Sequence, residues 1–506
     1  MIFKLVSDTQ IPRIGIIGCG FSGTMVLANI VAKAKGPLHI ELFEEGETPA
    51  QGIAYGTQEV RHLLNVRAVN MGAFSGKPDD FYNWLQSDAG KEAAHAIAPG
   101  LEIAPESYAP RKFYGAYLQH IFNEALTNAK ARDIEIHQHH GRVTDAELHN
   151  ADTQQILLSV MKGGIAKEVL VDALVLATGN LPPRRFSFQP GLIRGVEHYV
   201  SDIWHPRAES LFPHNVSQLG ADSEIVIIGT GLTTIDTVLT LKQQGYKGTI
   251  TAISRHGLLP APHVHSKPYH EWEWTKDPES VPSSALKILQ RLRLEVRTAQ
   301  SEGYDWRSVM DSLRPITQLI WKRLGTREKR KFLRRLFTLW NVHRHRMAPD
   351  IHAEIKAMQQ SGTLKVLAGK IYYVGSDADG LTIAYRKRGT NRVETIRAGL
   401  VLNCTGPEYD IAASSHRLLK NLRDKELVTI GPLRIGIDLT KEGTARGRAS
   451  ESIFPLGTLL VGELLECTAV PELREQAHET AVNVLRRLSS LRDHDRRAQM
   501  LMGAWI

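Results

Sequence analysis

A short apolar strand that runs into a glycine-spaced turn and then a helix occurs twice in this chain, and that repeat limits what it can fold into. In the first copy, Arg13 to Gly18 leads into Gly18-Cys-Gly20-Phe21-Ser22-Gly23 and an Ala/Val/Leu-rich helical stretch to about Lys35. The next apolar run, Leu38 to Phe43, ends in Glu44, 26 residues past Gly18. The second copy begins at Glu224, where Ile225-Val-Ile-Ile-Gly229-Thr-Gly231-Leu-Thr233-Thr234 repeats the pattern. Its second strand, Thr249 to Ser254, ends in Arg255, again 26 residues past the first glycine. In such a turn the first glycine permits the reversal, the second lets backbone approach a pyrophosphate, and the third lets helix pack on strand. Amides at the helix N-terminus then stabilise phosphate charge. A glycine turn that merely packs is the alternative, but the order of strand, turn, helix and charged strand end favours nucleotide binding. Thr234 stands where a third glycine would be, so helix and strand are expected slightly further apart there.

The two copies end their second strands with opposite charges. A carboxylate at Glu44 suits a ribose diol, whereas a guanidinium at Arg255 suits a 2′-phosphate, so two different nucleotides are implied. The parallel continues downstream. The first copy has Gly141-Arg-Val143, turns near Asn150 and Gly163, then Asp172 to Thr178-Gly179; the second has Gly369-Lys-Ile, turns near Asp377 and Gly389, then Ala398 to Thr405-Gly406. Each half reads βαβ, a β-meander and a strand ending in Thr-Gly, where small residues let backbone approach a ligand. The expected fold is α/β with two Rossmann-like dinucleotide-binding domains.

Composition removes other classes. With 506 residues, 42% hydrophobic and 23% charged, the chain is long enough for two to four packed domains. No apolar run approaches the roughly 18 residues of a membrane span, and the N-terminus lacks signal-peptide order, so a cytoplasmic protein without a membrane partner is expected. Cys19, Cys404 and Cys467 form no CxxC pair, which argues against disulfide-reductase chemistry. The formal charge is +8, yet the window from Lys276 to Arg346 holds 17 Lys/Arg against 7 Asp/Glu, so the basicity is local.

Two copies, each closed by a Thr-Gly strand, resemble the two-dinucleotide-binding-domain flavoproteins. More specifically, Gly52-Ile-Ala-Tyr55-Gly56-Thr57, His62-Leu-Leu64-Asn65-Val66, Met71, the Phe81 to Leu85 run and His343-Arg-His-Arg-Met347-Ala-Pro349 resemble the bacterial FAD/NAD(P)-binding proteins typified by YdhS. That family is related to N-hydroxylating flavin monooxygenases. The resemblance implies that Gly18, Gly20, Phe21, Ser22 and Gly23 cradle the FAD pyrophosphate, that Glu44 holds its ribose, and that Val143 meets the adenine edge. It implies that Thr178 and Gly179 border the same site, and that Tyr55, Leu64 and Asn65 lie beside the flavin ring, with Asn65 the candidate catalytic residue. Gly229, Gly231, Thr233, Arg255 and Gly406 would hold NADPH. His256 either assists Arg255 or is an ordinary exposed histidine.

Near the C-terminus, Gly457 to Arg474 reads as strand and loop leading into a helix that starts at Pro471, a residue suited to the first helical turn. The resemblance aims that helix at the flavin and makes Gly462 and Pro471 part of the FAD site. The implied domains are 1–190 with 396–506 for FAD, 220–262 with 350–395 for NADPH, and a helical insertion at 263–349. Between the copies, Gly195 to Trp204 has the place of a hinge, but its intervals depart from the Baeyer–Villiger fingerprint. The basic insertion is open to three readings: a lid or substrate region attracting an anion, a nucleic-acid surface, or a solvated helical face. Trp306, Trp321 and Trp340 sit in helical patterns that point to core, and no nucleic-acid partner is expected. His137, His139, His140, His263, His265, His343 and His345 lack carboxylate or cysteine partners at ligand spacing, so no metal is expected.

The expected function is an FAD-containing, NADPH-dependent monooxygenase, with N-hydroxylation among its forms. It would act with oxygen on a small, anionic molecule through a flavin C4a-(hydro)peroxide. A reductase passing electrons to a quinone or protein, and a non-catalytic flavin sensor, are the alternatives.

Overall fold

Apolar runs such as Ile14 to Ile17 and Ile225 to Ile228 alternate with nothing polar, which only a sheet covered on both faces can satisfy. The computed structural model places both runs in such sheets; it describes residues 11–184, 198–205, 216, 219, 223–377 and 380–503. Residues 195–197 of the hinge motif and the tip of the turn after Asp377 lie outside the described residues. The chain divides into two units, Met1–Gln58 with Arg67–Asn180 and Tyr409–Ile506, and Glu59–Val66 with Leu181–Glu408.

The first unit is built on β1 (Arg13–Ile17), β2 (Leu38–Glu44), β3 (Ile134–His140), β4 (Arg142–Asn150), β5 (Gln155–Lys162), β6 (Ile165–Val171) and β7 (Ala173–Leu176). Its main sheet is parallel, with β3, β2, β1 and β7 in spatial order and the late strand Ile453–Pro455 outside β7. The meander β4–β5–β6 forms a separate antiparallel sheet. A side chain on Gly15 would reach 3.2 Å from Val171 and 3.3 Å from Leu158, so its absence lets the meander pack on β1.

The second unit repeats the plan with β8 (Tyr199–Val200), β9 (Ile225–Ile228), β10 (Ile250–Ser254), β11 (Leu364–Asp377), β12 (Gly380–Lys387), β13 (Val393–Ala398) and β14 (Leu400–Asn403). β11, β10, β9, β14 and β8 lie in the same relative order as their counterparts in the first unit. One difference separates the copies. In the first unit the chain breaks at Gly141, whose amide donates to the Glu44 carbonyl at 3.0 Å. In the second unit β11 runs 14 residues without a break, pairing with β10 through Ala368 and with β12 from Gly369 onward. The meander therefore extends the second sheet. β14 belongs to this sheet, so the second unit runs on to Glu408, past residue 396.

The basic stretch is helical, with its longest helix at Ala285–Ser301. Its ends are stitched together where Met347 N–H donates to the Ala261 carbonyl at 3.0 Å and His263 N–H to that of Met347 at 2.8 Å. Trp321 and Trp340 are buried, in keeping with a core role, while Trp306 lies 4.3 Å under the Arg307 guanidinium. Helix Ala285–Ser301 turns Ala285, Ile288, Glu295 and Ala299 inward and leaves Leu286 and Leu294 61% and 54% exposed. Glu295 is tolerated there because Tyr269 Oη donates to it at 2.8 Å and Arg291 pairs with it at 3.3 Å.

In the first sheet Glu41 is a buried carboxylate on β2. His137 Nδ1 bonds it at 3.1 Å, His139 Nε2 at 2.5 Å, and Arg13 Nε stands 3.4 Å away. Burial pushes its carboxyl up, but the hydrogen bonds from His139 and His137 outweigh that and leave it below its ordinary value. Glu41→Gln is expected to cost about 1–3 kcal/mol at neutral pH in denaturant unfolding. Because the folded value lies below 4.5, the contribution is whole above that pH and fades as pH falls through the lowered value. The gap between wild type and variant should therefore shrink on acidification; an equal gap at both ends contradicts this role.

Candidate functional site

In α/β sheets, ligands bind outside the carboxyl ends of the strands, where strand order reverses. In the first unit that point lies between β1 and β7. Gly18 has φ +92°, and a β-carbon on it would stand 2.3 Å from the Ala177 carbonyl at the end of β7. A β-carbon on Gly23 would fall 1.9 Å from the Gly18 carbonyl, and one on Gly20 would touch Gly52 Cα at 3.4 Å. Helix Phe21–Lys33 starts at Gly20 with no side-chain cap, so its first-turn amides face the turn unclaimed by a capping group. Glu44 holds its carboxylate against this turn, accepting from Cys19 N–H at 2.7 Å and Gly46 N–H at 2.8 Å.

Thr178 and Gly179 follow β7. Thr178 Oγ1 is buried without a hydrogen-bond partner, and Gly179, at φ +67°, has open space where a β-carbon would be. An unsatisfied buried hydroxyl beside a cradle of bare backbone is what a polar ligand at this edge would complete, so these residues fit a dinucleotide. The C-terminal segment adds a further wall. Thr458 Oγ1 donates to the Gly179 carbonyl at 2.5 Å, Gly457 N–H donates to Gln476 Oε1 at 2.9 Å, and Gln476 Nε2 donates to the Cys467 carbonyl at 3.0 Å. A β-carbon on Gly457 would come within 3.8 Å of Ser22 Oγ, which brings this loop to the glycine turn. Pro471 is the second residue of helix Val470–Gly503. Gly462 has a packing reason of its own, since a β-carbon there would lie 2.5 Å from the Ile435 carbonyl. Phe21 stacks on Tyr114 at 6.3 Å and Tyr55 meets Tyr114 at 4.7 Å. Val143 is buried and pairs with Val160 in the meander.

The second unit has the same cradle. Gly229 has φ +121°, and a β-carbon there would be 2.2 Å from the Cys404 carbonyl that follows β14. Gly231 meets nothing within 4 Å, and Gly406, at φ +83°, is equally open. Thr234 is buried where a third glycine would stand, its N–H donating to the Gly231 carbonyl at 3.1 Å; the Thr233 carbonyl accepts from Thr237 Oγ1 at 2.8 Å. Arg255 lines a cleft of about 460 Å³ shared with Lys370, Arg386, Lys387 and Arg388.

Leu64 and Asn65 fall in this unit, whereas Tyr55 falls in the first. His62 Nε2 bonds Thr240 Oγ1 at 2.9 Å, Arg61 pairs with Glu354, and the Asn65 carbonyl accepts from His263 Nε2 at 3.0 Å. Gln476, Thr458 and the cations of β11 and β12 were not anticipated. Gln476 had a weak signal, a buried amide early in an otherwise amphipathic helix; the cleft had none, because strand pairing assembles it. Among the described residues no group of three or more His, Cys, Asp or Glu could hold a metal, and no helix is long and apolar enough to cross a membrane. Burial pushes the Cys19 thiol up to about 11 and the Cys404 and Cys467 thiols to about 12, so all three are protonated near neutral pH.

Residues 15–181 match a family model described as FAD-NAD(P)-binding, and the first unit therefore contains an FAD/NAD(P)-binding domain. A search among curated proteins found no match. Solved structures share the fold across nearly the whole chain. Reduced ornithine hydroxylase PvdA from Pseudomonas aeruginosa superposes with a TM-score of 0.61 at 14% identity, covering 95% of this chain and 100% of its own. Ornithine N-hydroxylase KtzI from Kutzneria sp. 744, solved with reduced FAD, NADP+ and L-ornithine, gives 0.59 at 12% identity, covering 94% and 100%. The FAD-bound cadaverine monooxygenase DfoA from Erwinia amylovora gives 0.58 at 14% identity, covering 95% of each chain. These likenesses establish the architecture, a two-dinucleotide-domain flavoprotein fold.

The glycines of the two turns are not equally constrained, and thermal unfolding can read this. Gly23→Ala drives a β-carbon into a carbonyl and is expected to lose several kcal/mol of stability, in the range of overpacked backbone sites. Gly231→Ala meets open space at an ordinary φ and is expected to stay within about 1 kcal/mol of wild type. A large loss in the second variant, or none in the first, contradicts the packing described.

Proposed function

We propose that the chain is an FAD-containing, NADPH-dependent monooxygenase that places one oxygen atom on a small amine, with FAD in the first unit and NADPH in the second. The observation that carries this reading is the pair of matched cradles with unlike ends, Glu44 in one and Arg255 in the other. A carboxylate accepts hydrogen bonds from a ribose diol and repels a 2′-phosphate; a guanidinium does the reverse. The similar structures add support: they are ornithine hydroxylases and a cadaverine monooxygenase, one solved with reduced FAD, NADP+ and L-ornithine and another with FAD.

Gly18, Gly20, Phe21, Ser22 and Gly23 would bind the FAD pyrophosphate, Glu44 its ribose and Val143 its adenine. Thr178, Gly179, Gly462 and the helix entered at Pro471 would border the isoalloxazine, where the positive end of a 34-residue helix favours negative charge. Gly229, Gly231, Thr233 and Gly406 would bind the NADPH pyrophosphate and Arg255 its 2′-phosphate. When bound, the pair supplies two-electron transfer from nicotinamide to flavin and from flavin to oxygen. Protein residues then bind, orient and exclude water. Asn65, whose carbonyl accepts from His263 Nε2 at 3.0 Å, is the candidate catalytic residue. Tyr55 stays protonated, burial pushing it up to about 12, and offers a neutral wall. Cys19, Cys404 and Cys467 are buried and form no CxxC pair, which speaks against disulfide-reductase chemistry.

The test is NADPH consumption by FAD-loaded protein with a panel of diamines and basic amino acids, followed by mass spectrometry. The expected result is substrate-stimulated oxidation and a product heavier by one oxygen atom. Asn65→Ala should lower product formed per NADPH consumed by about 10-fold or more, the scale of removing a preorganised hydrogen bond. Oxidation that passes electrons to a quinone without oxygenated product would mark a reductase. No oxidation at all would mark a sensor.

A further inference from the structure

The cation cleft of the second unit holds more charge than Arg255 alone would need. It lies past the carboxyl end of β10, where Ser254 pairs with Ala368 of β11, and is walled by the turn joining β12 to β13. That turn is set by its own hydrogen bonds: Arg388 N–H donates to the Ala368 carbonyl at 2.9 Å, Lys387 N–H to that of Arg392 at 3.2 Å, and Thr390 N–H to that of Lys387 at 3.2 Å. Gly257, at φ +62°, packs against Ala368, closing the floor.

The cations are not equivalent. Lys370 and Arg386 face each other across β11 and β12, and both lie over the Tyr372 ring, at 5.0 and 5.5 Å. Lys387 stands 3.8 Å from Glu394. Arg255 and Arg388 have no carboxylate partner among the described residues; Arg388 Nη1 donates only to the His256 carbonyl, at 3.5 Å. Both guanidiniums bear on His256, whose ring is held below its ordinary value by burial, then by Arg388 and Arg255. Two guanidiniums that line one cleft and act on the same histidine suit an anion, and planar forks suit a phosphate best.

We propose that Arg388, carried on the turn between β12 and β13, joins Arg255 to form the pocket that selects the 2′-phosphate of NADPH. This rests on the assignment of NADPH to the second unit. Coenzyme preference is then set by two segments far apart in sequence, and the surplus positive charge makes that preference sensitive to salt.

Calorimetry on the full chain saturated with FAD tests this with two probes that differ only by the 2′-phosphate: adenosine 2′,5′-bisphosphate and adenosine 5′-monophosphate. Wild type should bind the bisphosphate at least about 10-fold more tightly, and Arg388→Ala should cut that ratio about 10-fold, the scale of charge-assisted hydrogen bonds. Arg255→Ala should do the same, Arg388→Lys should retain part of the ratio, and monophosphate affinity should stay unchanged in all. Raising salt should narrow the wild-type ratio. Both residues are exposed, so the variants should unfold at the wild-type temperature. An unchanged ratio in Arg388→Ala, with the ratio lost in Arg255→Ala, overturns the inference and leaves NADPH binding standing. A wild-type ratio near one overturns both.

Discussion

Two backbone carbonyls, those of Ala177 and Cys404, set the conditions on which the rest of this structure depends. Each lies within 2.3 Å of where a side chain on the first glycine of its turn would begin. Only a bare backbone can make that approach, and only at positive φ, so Gly18 and Gly229 fix where each first strand ends and its helix starts. The helices then point uncapped amides at the strand ends, and the Thr-Gly segments after β7 and β14 close the same edges. One steric demand, met twice, produces two edges of bare, uncapped backbone of a kind suited to an anion.

That demand was legible in the sequence because it is local. Strand, turn and helix in each copy came from residues within about one βαβ unit of one another, but the equal spacing to Glu44 and Arg255 did not become equal strand positions: Ile17 pairs with Phe43 and Ile228 with Ile253, so Ser254 takes the register of Glu44 and Arg255 lies one residue past its strand. The misread parts are those that depend on distant partners. Nothing in Glu59 to Val66 says that it belongs with the second unit; Arg61 and His62 find Glu354 and Thr240 only after the fold is made. Nothing local shows that the buried face of helix Ala285–Ser301 runs through Glu295, whose partners Tyr269 and Arg291 hold its charge. The wall formed by Thr458, Gly457 and Gln476 needed contacts across the first unit. The meander's different fates in the two copies turned on one break at Gly141, where strand pairing decides and composition is silent.

The chemistry follows from how each unit manages charge. In the first, Glu44 is drawn onto the turn by amides and an unsatisfied Thr178 hydroxyl faces the same edge, an arrangement suited to a ligand rich in hydroxyls and phosphate oxygens. In the second, Ser254 takes the register of that carboxylate, accepting from Thr230 Oγ1 at 2.8 Å, and the cations gather just beyond it from Arg255 onward. A protein of this kind contributes position, dryness and a few hydrogen bonds. This explains why no acid, base and nucleophile constellation stands out, and why fold likeness at 12–14% identity leaves the substrate to be found by assay.

The central claim is that unlike coenzymes occupy matched cradles and exchange electrons. Anaerobic titration of the FAD-loaded protein with NADPH, followed by the flavin's visible absorbance, tests it most directly. One equivalent of NADPH should bleach the bound flavin, far faster than the same amount of NADH. Protein that retains no FAD, or flavin that keeps its colour in excess NADPH, would contradict the claim.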